Sequence, residues 1–449
     1  MAHRSNFRAR PQDGSRIRRR SRARAVAAAG LGLCLGATPL AGATTAIAST
    51  TTTLTVWSFQ GTSTDPTAGV PYAFYLINKQ FEKENPGITV NMVLQPFGNY
   101  RPLFAAAAAA HSGPDVWESL PGEFLYQYDT ALLPLNKYVS SSFKSSLLGW
   151  SGSTVPEWHN SGTIYGIPSE LQSYVWYYNK ALFKKAGIAG VPQTWDAMTA
   201  DAKKLKAAGI TAFAMGLKDG FGADDYQEPM LTVMLPGNQI LGLASGSPSW
   251  TSPRLEQFLN LLDGMGPYFE PGFQGIDFEG PGIDLFPGGK AAMISGLISN
   301  NNNYYQFAQS LGSNLGMFRE PVISSPSLAK QLSFTSDYMW TVTKWTKDPA
   351  AAVAYSEFME TPYAQKILLN DGGDIPNLAS TSQSSFVKGS LPAQIWSLIK
   401  SSTLVSMPGT DFSTEFETAF HEQIQDMFAG TQSVAATAQN LEQTAKSQG

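Results

Sequence analysis

The chain has 449 residues, of which 43% are hydrophobic, 12% aromatic and 15% charged. That is enough apolar material for two or three packed domains and too much for a disordered chain. The net charge of −4 hides an asymmetry: residues 1–24 hold nine arginines against Asp13, so the remainder carries −12, which argues against nucleic acid and polyanions as partners.

The arginine-rich start precedes a weakly apolar run over 25–40 and two A-x-A sites, Ala41-Gly-Ala43 and Ala46-Ile-Ala48. This pattern predicts an export signal over residues 1–48. The run is too short and too rich in Ala and Gly for a permanent membrane span. Arg18-Arg19-Arg20 hints at a twin-arginine route but lacks the hydrophobic residue that usually follows the pair. The one cysteine, Cys34, follows Leu33, where a lipid anchor wants a small residue; secretion without an anchor is the expectation and anchoring through Cys34 the alternative. Cleavage after Ala48 leaves a mature chain with neither cysteine nor disulfide.

Beyond the signal, 54–57 alternates as a first strand and runs into a polar loop over 58–69. A helix over 72–84 is stopped by Asn85-Pro86-Gly87, and 88–94 is a second strand, which makes a βαβ unit and predicts a parallel sheet. An alanine-rich helix over 103–110 closes at Ser112-Gly113-Pro114, and the strand through Asp115-Val116 ends with Trp117, Glu118 and Ser119 opening outward. Short helices follow near 124–128 and 135–139. Tyr174 to Tyr178 is β-branched or aromatic throughout and reads as a buried strand. Asn179 caps a helix over 180–186 that Gly187 stops, and Thr194 caps the next, which Gly209 stops. Residues 211–215 form a strand, Asp225 opens another helix, and 237–253 is a Gly/Ser-rich loop. Later come a crossing strand over 334–342, a helix over 347–358, the turn Gly372-Gly373-Asp374-Ile375-Pro376, and helices over 415–428 and 433–445.

Several of these stretches carry a resemblance. Gly162-Thr-Ile-Tyr-Gly-Ile-Pro168, then Tyr177-Tyr-Asn-Lys180 through Lys184-Lys-Ala-Gly-Ile188, then Pro192-Gln-Thr-Trp-Asp196, is similar to the signature of family 1 extracellular solute-binding proteins, the sugar receptors of ABC importers. Phe81-Glu-Lys-Glu-Asn-Pro-Gly87, Gly113-Pro-Asp-Val116 and Phe286-Pro-Gly-Gly-Lys-Ala-Ala-Met293 extend the likeness, so that it spans roughly 54–446. The resemblance implies an α/β, two-lobed fold of the type II periplasmic-binding class, each lobe a mainly parallel sheet flanked by helices, joined by crossing hinge segments. Lobe 1 is expected over 49–171 and 337–395, lobe 2 over 172–336 and 396–449.

A sugar site needs aromatic planes for the apolar ring faces and carboxylates or amides for the hydroxyl rim. Gln60 stands in the loop after the first strand, and Trp117 and Glu118 follow the third. Alternation sends one of the latter pair inward, and an unpaired buried Glu is costly, so Glu118 is expected toward the cleft. The resemblance adds Gln172, where the maltose-binding branch has a sugar-binding carboxylate, with Tyr174 on the same strand face. It also adds Glu228 in a Gln-Glu-Pro run, Asp337 and Tyr338 where many members have Gly-Gly-Trp, Asp374 in its glycine turn, and Phe416 near a stacking Trp. Ile298 replaces a family Trp, which moves the aromatic platform to Tyr304 or Tyr305.

The expected function is a monomeric, non-catalytic receptor that delivers a sugar or oligosaccharide to the membrane permease subunits of an ABC importer, with no cofactor or metal. Two alternatives stay open: the same fold binding a non-sugar solute, or a secreted carbohydrate-active enzyme. A phosphorylated ligand would want several arginines, and beyond the signal arginine occurs only at 101, 254 and 319.

Overall fold

A computed structural model describes residues 51–60, 69–150, 162–298, 304–323 and 325–448. The export signal expected over 1–48, with Cys34, lies outside the described residues. Alternation sets the first strand: in β1 (Thr52–Ser58) Leu54, Val56 and Ser58 are buried and Thr53 is exposed. The helix Gly69–Glu84 then buries Val70, Ala73, Phe74, Ile77 and Phe81 on one face, and β2 (Ile88–Leu94) returns parallel to β1. This is the βαβ unit read from the sequence.

Next comes the helix Phe97–Ala110, which starts six residues earlier than expected and carries Pro102 inside it. It leads to β3 (Val116–Ser119), which pairs parallel with β1, and β4 (Gly166–Gln172) follows. The second sheet begins with β5 (Tyr174–Asn179) and adds β6 (Thr211–Phe213), β7 (Ala291–Leu297) and β8 (Leu315–Phe318). After β9 (Gln331–Ser333), the strand β10 (Thr335–Val342) re-enters the first sheet, and β11 (Thr403–Val405) pairs with β9.

The orders are β2-β1-β3-β10-β4 and β6-β7-β5-β8. In each sheet every strand but one runs the same way. The exceptions are β10, antiparallel to both β3 and β4, and β5, antiparallel to both β7 and β8. The result is two mixed α/β lobes. The chain crosses between them at Ser173, at Phe334 and again between 377 and 386. The last return differs from the boundary expected at 395: Phe386, Ala393 and Ile395 already belong to the second lobe's core, because the helix Leu391–Lys400 buries its apolar face there.

Local chemistry explains the helices that flank the crossing. Asn179 Oδ1 accepts from the backbone N–H of Ala181 and Leu182 at 3.0 and 3.3 Å, and Gly187 stops that helix at φ 69°. Thr194 Oγ1 caps the helix Trp195–Ala207 through Ala197 N–H at 3.2 Å. No helix among the described residues is long and apolar enough to cross a membrane.

The second lobe's core is centred on Trp176. It is fully buried, its rings lie 5.4 to 6.2 Å from those of Phe213, Tyr226 and Phe318, and its indole N–H donates to the Glu320 carboxyl. Replacing Trp176 with Ala removes the packing and also leaves Glu320 unpaired. The expected loss is about 3–5 kcal/mol, read as a lower urea midpoint with an unchanged slope.

Candidate functional site

The lobes meet where the chain crosses. β4 ends at Gln172 and β5 begins at Tyr174, so only the fully buried Ser173 separates the two sheets. Gln172 is held on both ends. Its Nε2 donates to Asp337 Oδ1 at 2.6 Å, and its Oε1 accepts from Ser173 N–H at 2.9 Å and Ile298 N–H at 3.3 Å.

One step back along β4, Glu170 opposes Asp337 on β10; the ladder is in register on either side, at Leu171 with Ser336 and Ser169 with Tyr338. Glu170 sits at φ 51°, a left-handed backbone that strains a residue with a side chain. Two ionised acids opposite each other in a strand pair would repel. Burial, with the charges of Asp374 and Asp337, holds the Glu170 carboxyl well above the usual range, so it stays protonated. Asp374 is pushed up to about 8, by burial first and then by Asp337. The Tyr338 hydroxyl donates to its Oδ2 at 3.4 Å.

The facing wall is the helix Phe221–Met234, which buries Asp225 and Glu228 one turn apart. Glu228 Oε1 accepts from the backbone N–H of Gly409 at 2.6 Å. A Cβ on Gly409 would stand 2.4 Å from that oxygen, so this approach requires glycine. Tyr174 lies between the two walls: after burial, the charges of Asp225, Glu228, Asp224 and Asp337 all raise the pKa of its hydroxyl.

At the rim the lobes touch directly. Arg101 of the first lobe lies 3.6 Å over the Phe124 ring and 3.8 Å from Glu417 of the helix Thr414–Phe428. His421 Nε2 stands 2.7 Å from Asp224 Oδ2. Burial works against the charged imidazole, but Asp224 outweighs it and lifts the His421 pKa. Burial and Asp224 push Glu417 up to about 7 against the pull of Arg101. Asp224, Glu417 and His421 bring ligand atoms within 4.8 Å of one another, but His421 is engaged with Asp224 and Arg101 with Glu417, so the group is an ion-pair cluster. Beside it, Gly122 meets the Thr410 backbone so closely that a Cβ would lie 2.0 Å from the Thr410 oxygen. The lobes are closed.

The residues expected from sequence divide into two sets. Gln172, Tyr174, Glu228 and Asp337 come together at the crossing, as described. Glu118 and Gln60 are near neighbours but covered: Glu118 is fully buried, accepts from Phe59 N–H at 2.9 Å and is pushed up to about 8 by burial. The expectation that it opens toward the cleft is corrected, because both faces of β3 are covered and alternation does not choose between them.

Trp117 lies in a core stack with Phe104, ring centroids 3.5 Å apart, and with Tyr128. Phe416 is fully buried against Phe412 and Trp250. The Tyr338 ring is fully buried against Phe59 and Trp340. None of the three presents a face for stacking. Asp374 serves the buried acid group, and the side chains of Tyr304 and Tyr305 lie outside the described residues. Sequence reasoning missed Glu170, Asp225, Arg101, Glu417 and His421. Only Asp225 had a signal, its helical i, i+3 spacing to Glu228.

Two open cavities lie elsewhere, one of about 460 Å³ beside Tyr178 and Phe183 and one of about 600 Å³ beside Thr51 and Trp345. Neither includes a candidate residue.

Residues 77–393 match the family model for bacterial extracellular solute-binding proteins. A binding protein of Brucella abortus is 34% identical over 155 residues, which are 33% of this chain and 35% of that protein. The multiple sugar-binding protein of Streptococcus mutans is 26% identical over 152 residues, 34% of this chain and 35% of that one. The chain thus matches about a third of the length of these relatives. A chitin oligosaccharide binding protein of known structure shares the fold, with a TM-score of 0.75 over 88% of this chain and 98% of that one at 20% identity.

Proposed function

The chain belongs to the family of bacterial extracellular solute-binding proteins, and from that premise we propose that it is a non-catalytic receptor that closes two lobes on a sugar or oligosaccharide and delivers it to the permease subunits of an ABC importer. The observation that carries the reading is the polar group at the crossing. Gln172 and Asp337 are fixed by their mutual hydrogen bond, Tyr174 lies beside them, and Glu228 faces them from the second lobe. Pre-set amides and carboxyls around an aromatic ring fit a polyol with apolar ring faces. The names of the relatives, multiple sugar-binding and chitin oligosaccharide binding, point the same way.

Three strands or loops cross between the lobes, so hinge motion at Ser173 and Phe334 opens and closes the site. The acid pair Glu170 and Asp337 is committed to the strand ladder and to Gln172, which leaves it no room to act as a glycosidase pair around a bond. Residues 1–48 serve as the export signal in this reading.

The test is thermal unfolding of the secreted chain against mono-, di- and oligosaccharides. A saccharide at about a hundred times its Kd should stabilise the fold by about 2.7 kcal/mol and be recovered intact. Cleavage of the sugar, or a response to non-sugar solutes alone, overturns the proposal.

A further inference from the structure

Closing the lobes completes a charge balance at the mouth of the cleft. On the second lobe, Glu417 and His421 lie one turn apart on the helix Thr414–Phe428, and Asp224 faces them from the helix Phe221–Met234. Their side-chain oxygen and nitrogen atoms come within 4.8 Å of one another. Asp224 takes His421 at 2.7 Å, so two carboxyls share one imidazole and no cation of the second lobe pairs with Glu417 among the described residues.

The first lobe supplies the missing cation. Arg101 reaches Glu417 at 3.8 Å, and the Phe124 ring, 3.6 Å below the guanidinium, holds that flat group in place. Of the ion pairs between described residues, the others each join residues of one lobe, and this one alone joins the two. Arg254 and Arg319 serve instead inside the second lobe, where they donate to the carbonyls of Met234 and Ala329.

We infer that Arg101 and Glu417 form a charge latch across the cleft mouth: Arg101 helps hold the lobes together while Glu417 is ionised, and ceases to when Glu417 is protonated. This rests on the hinge motion of the receptor reading. Burial first and then Asp224 push Glu417 up to about 7, opposed by Arg101 and His421. Asp219 acts on this group through His421, and Tyr128 faces Arg101 from the first lobe. Arginine stays charged at any working pH. Arg101 comes from the other lobe, so it lowers the Glu417 pKa only in the closed form. Its contribution to closure is therefore present above about 7 and is lost as pH falls through that value.

Spin labels on two introduced cysteines test this by reading the interlobe distance in the secreted chain, whose sole cysteine, Cys34, lies in the export signal. Ala106→Cys on the first lobe and Ala435→Cys on the second are exposed and outside the cluster. With no sugar added, Arg101→Met, which keeps an apolar stem over Phe124, should lower the closed-to-open ratio about fivefold at pH 8.5 and less than about twofold at pH 5.5. In a Glu417→Gln background the same change should cost less than about twofold at both pH values. A pH dependence that persists in that background would belong to His421 and overturns the latch. Equal distance distributions for the native chain and Arg101→Met at pH 8.5 overturn it too. Glucose and N-acetylglucosamine oligomers, added last, separate the two readings should the latch fail. A distance that shortens with them leaves the receptor standing, and one unmoved in every form sinks the hinge reading as well.

Discussion

Gly122→Ala is expected to hold the lobes apart and weaken ligand binding by roughly thirtyfold, the equivalent of about 2 kcal/mol of closure energy. Gly122 follows β3 in the first lobe, and Thr410 stands beside Glu228's partner Gly409 in the second. An added Cβ would fall 2.0 Å from the Thr410 carbonyl oxygen and 2.7 Å from its Cγ2. The methyl can yield neither to a backbone carbonyl nor into a packed wall, so relief comes from opening the hinge. Gly122 also has φ 72°, and a side chain there adds local strain.

A control separates the two effects. Gly162 has φ 81° with open space around its Cβ direction, so Gly162→Ala carries the strain without the wedge. Small-angle scattering should show a larger radius of gyration for Gly122→Ala than for the native chain or Gly162→Ala, and titration with a saccharide ligand should show the affinity loss in Gly122→Ala alone. A Gly122→Ala protein as compact as the native one and binding as tightly would mean that this contact does not limit closure.

What was legible in the sequence was local. Asn179, Gly187 and Thr194 cap and stop their helices by rules that operate within a few residues, and the run Tyr174 to Tyr178 announces a buried strand by composition alone. Tyr174 lies on such an element, whereas Gln172, Glu228 and Asp337 were named from the resemblance and not from a local pattern. Trp117 and Phe416 were misplaced for a tertiary reason. The helix Phe97–Ala110 begins before Pro102 and lays Tyr100 and Phe104 over Trp117, and no local pattern states which face of β3 it covers.

The rim cluster was invisible on the same ground. Arg101 and Glu417 are 316 positions apart, and only the closed arrangement of the lobes brings their side chains to 3.8 Å. Glu170 gave no signal because its strain is a property of the backbone, and a left-handed glutamate is unexpected from its type.

The same buried acids make the ligand-free protein most stable in mild acid. Burial is the leading cause that pushes Glu118, Glu320, Glu360 and Asp374 up to about 8, and Glu270 and Glu417 up to about 7. In the unfolded chain these groups titrate near the ordinary carboxylate values of about 4. Between those values and 8 the folded state therefore holds protons that the unfolded state has released, so stability falls as pH rises through the window. The contribution is complete below the unfolded values and is lost as each folded group finally ionises. Each pKa unit is worth about 1.4 kcal/mol, but groups that share protons do not add independently, so the expected net loss from pH 5 to pH 8 is a few kcal/mol, about 3. Glu82 and Glu442, whose pKa values are lowered, act only in stronger acid. Urea unfolding at several pH values should show the midpoint dropping steadily above pH 5. Glu360→Gln should flatten part of that slope, because its Oε2 accepts from Gln365 at 2.9 Å in a buried pocket where a neutral amide replaces a carboxyl that must otherwise ionise. Stability that is flat or rising from pH 5 to pH 8 would mean that these carboxyls are ionised in the folded protein.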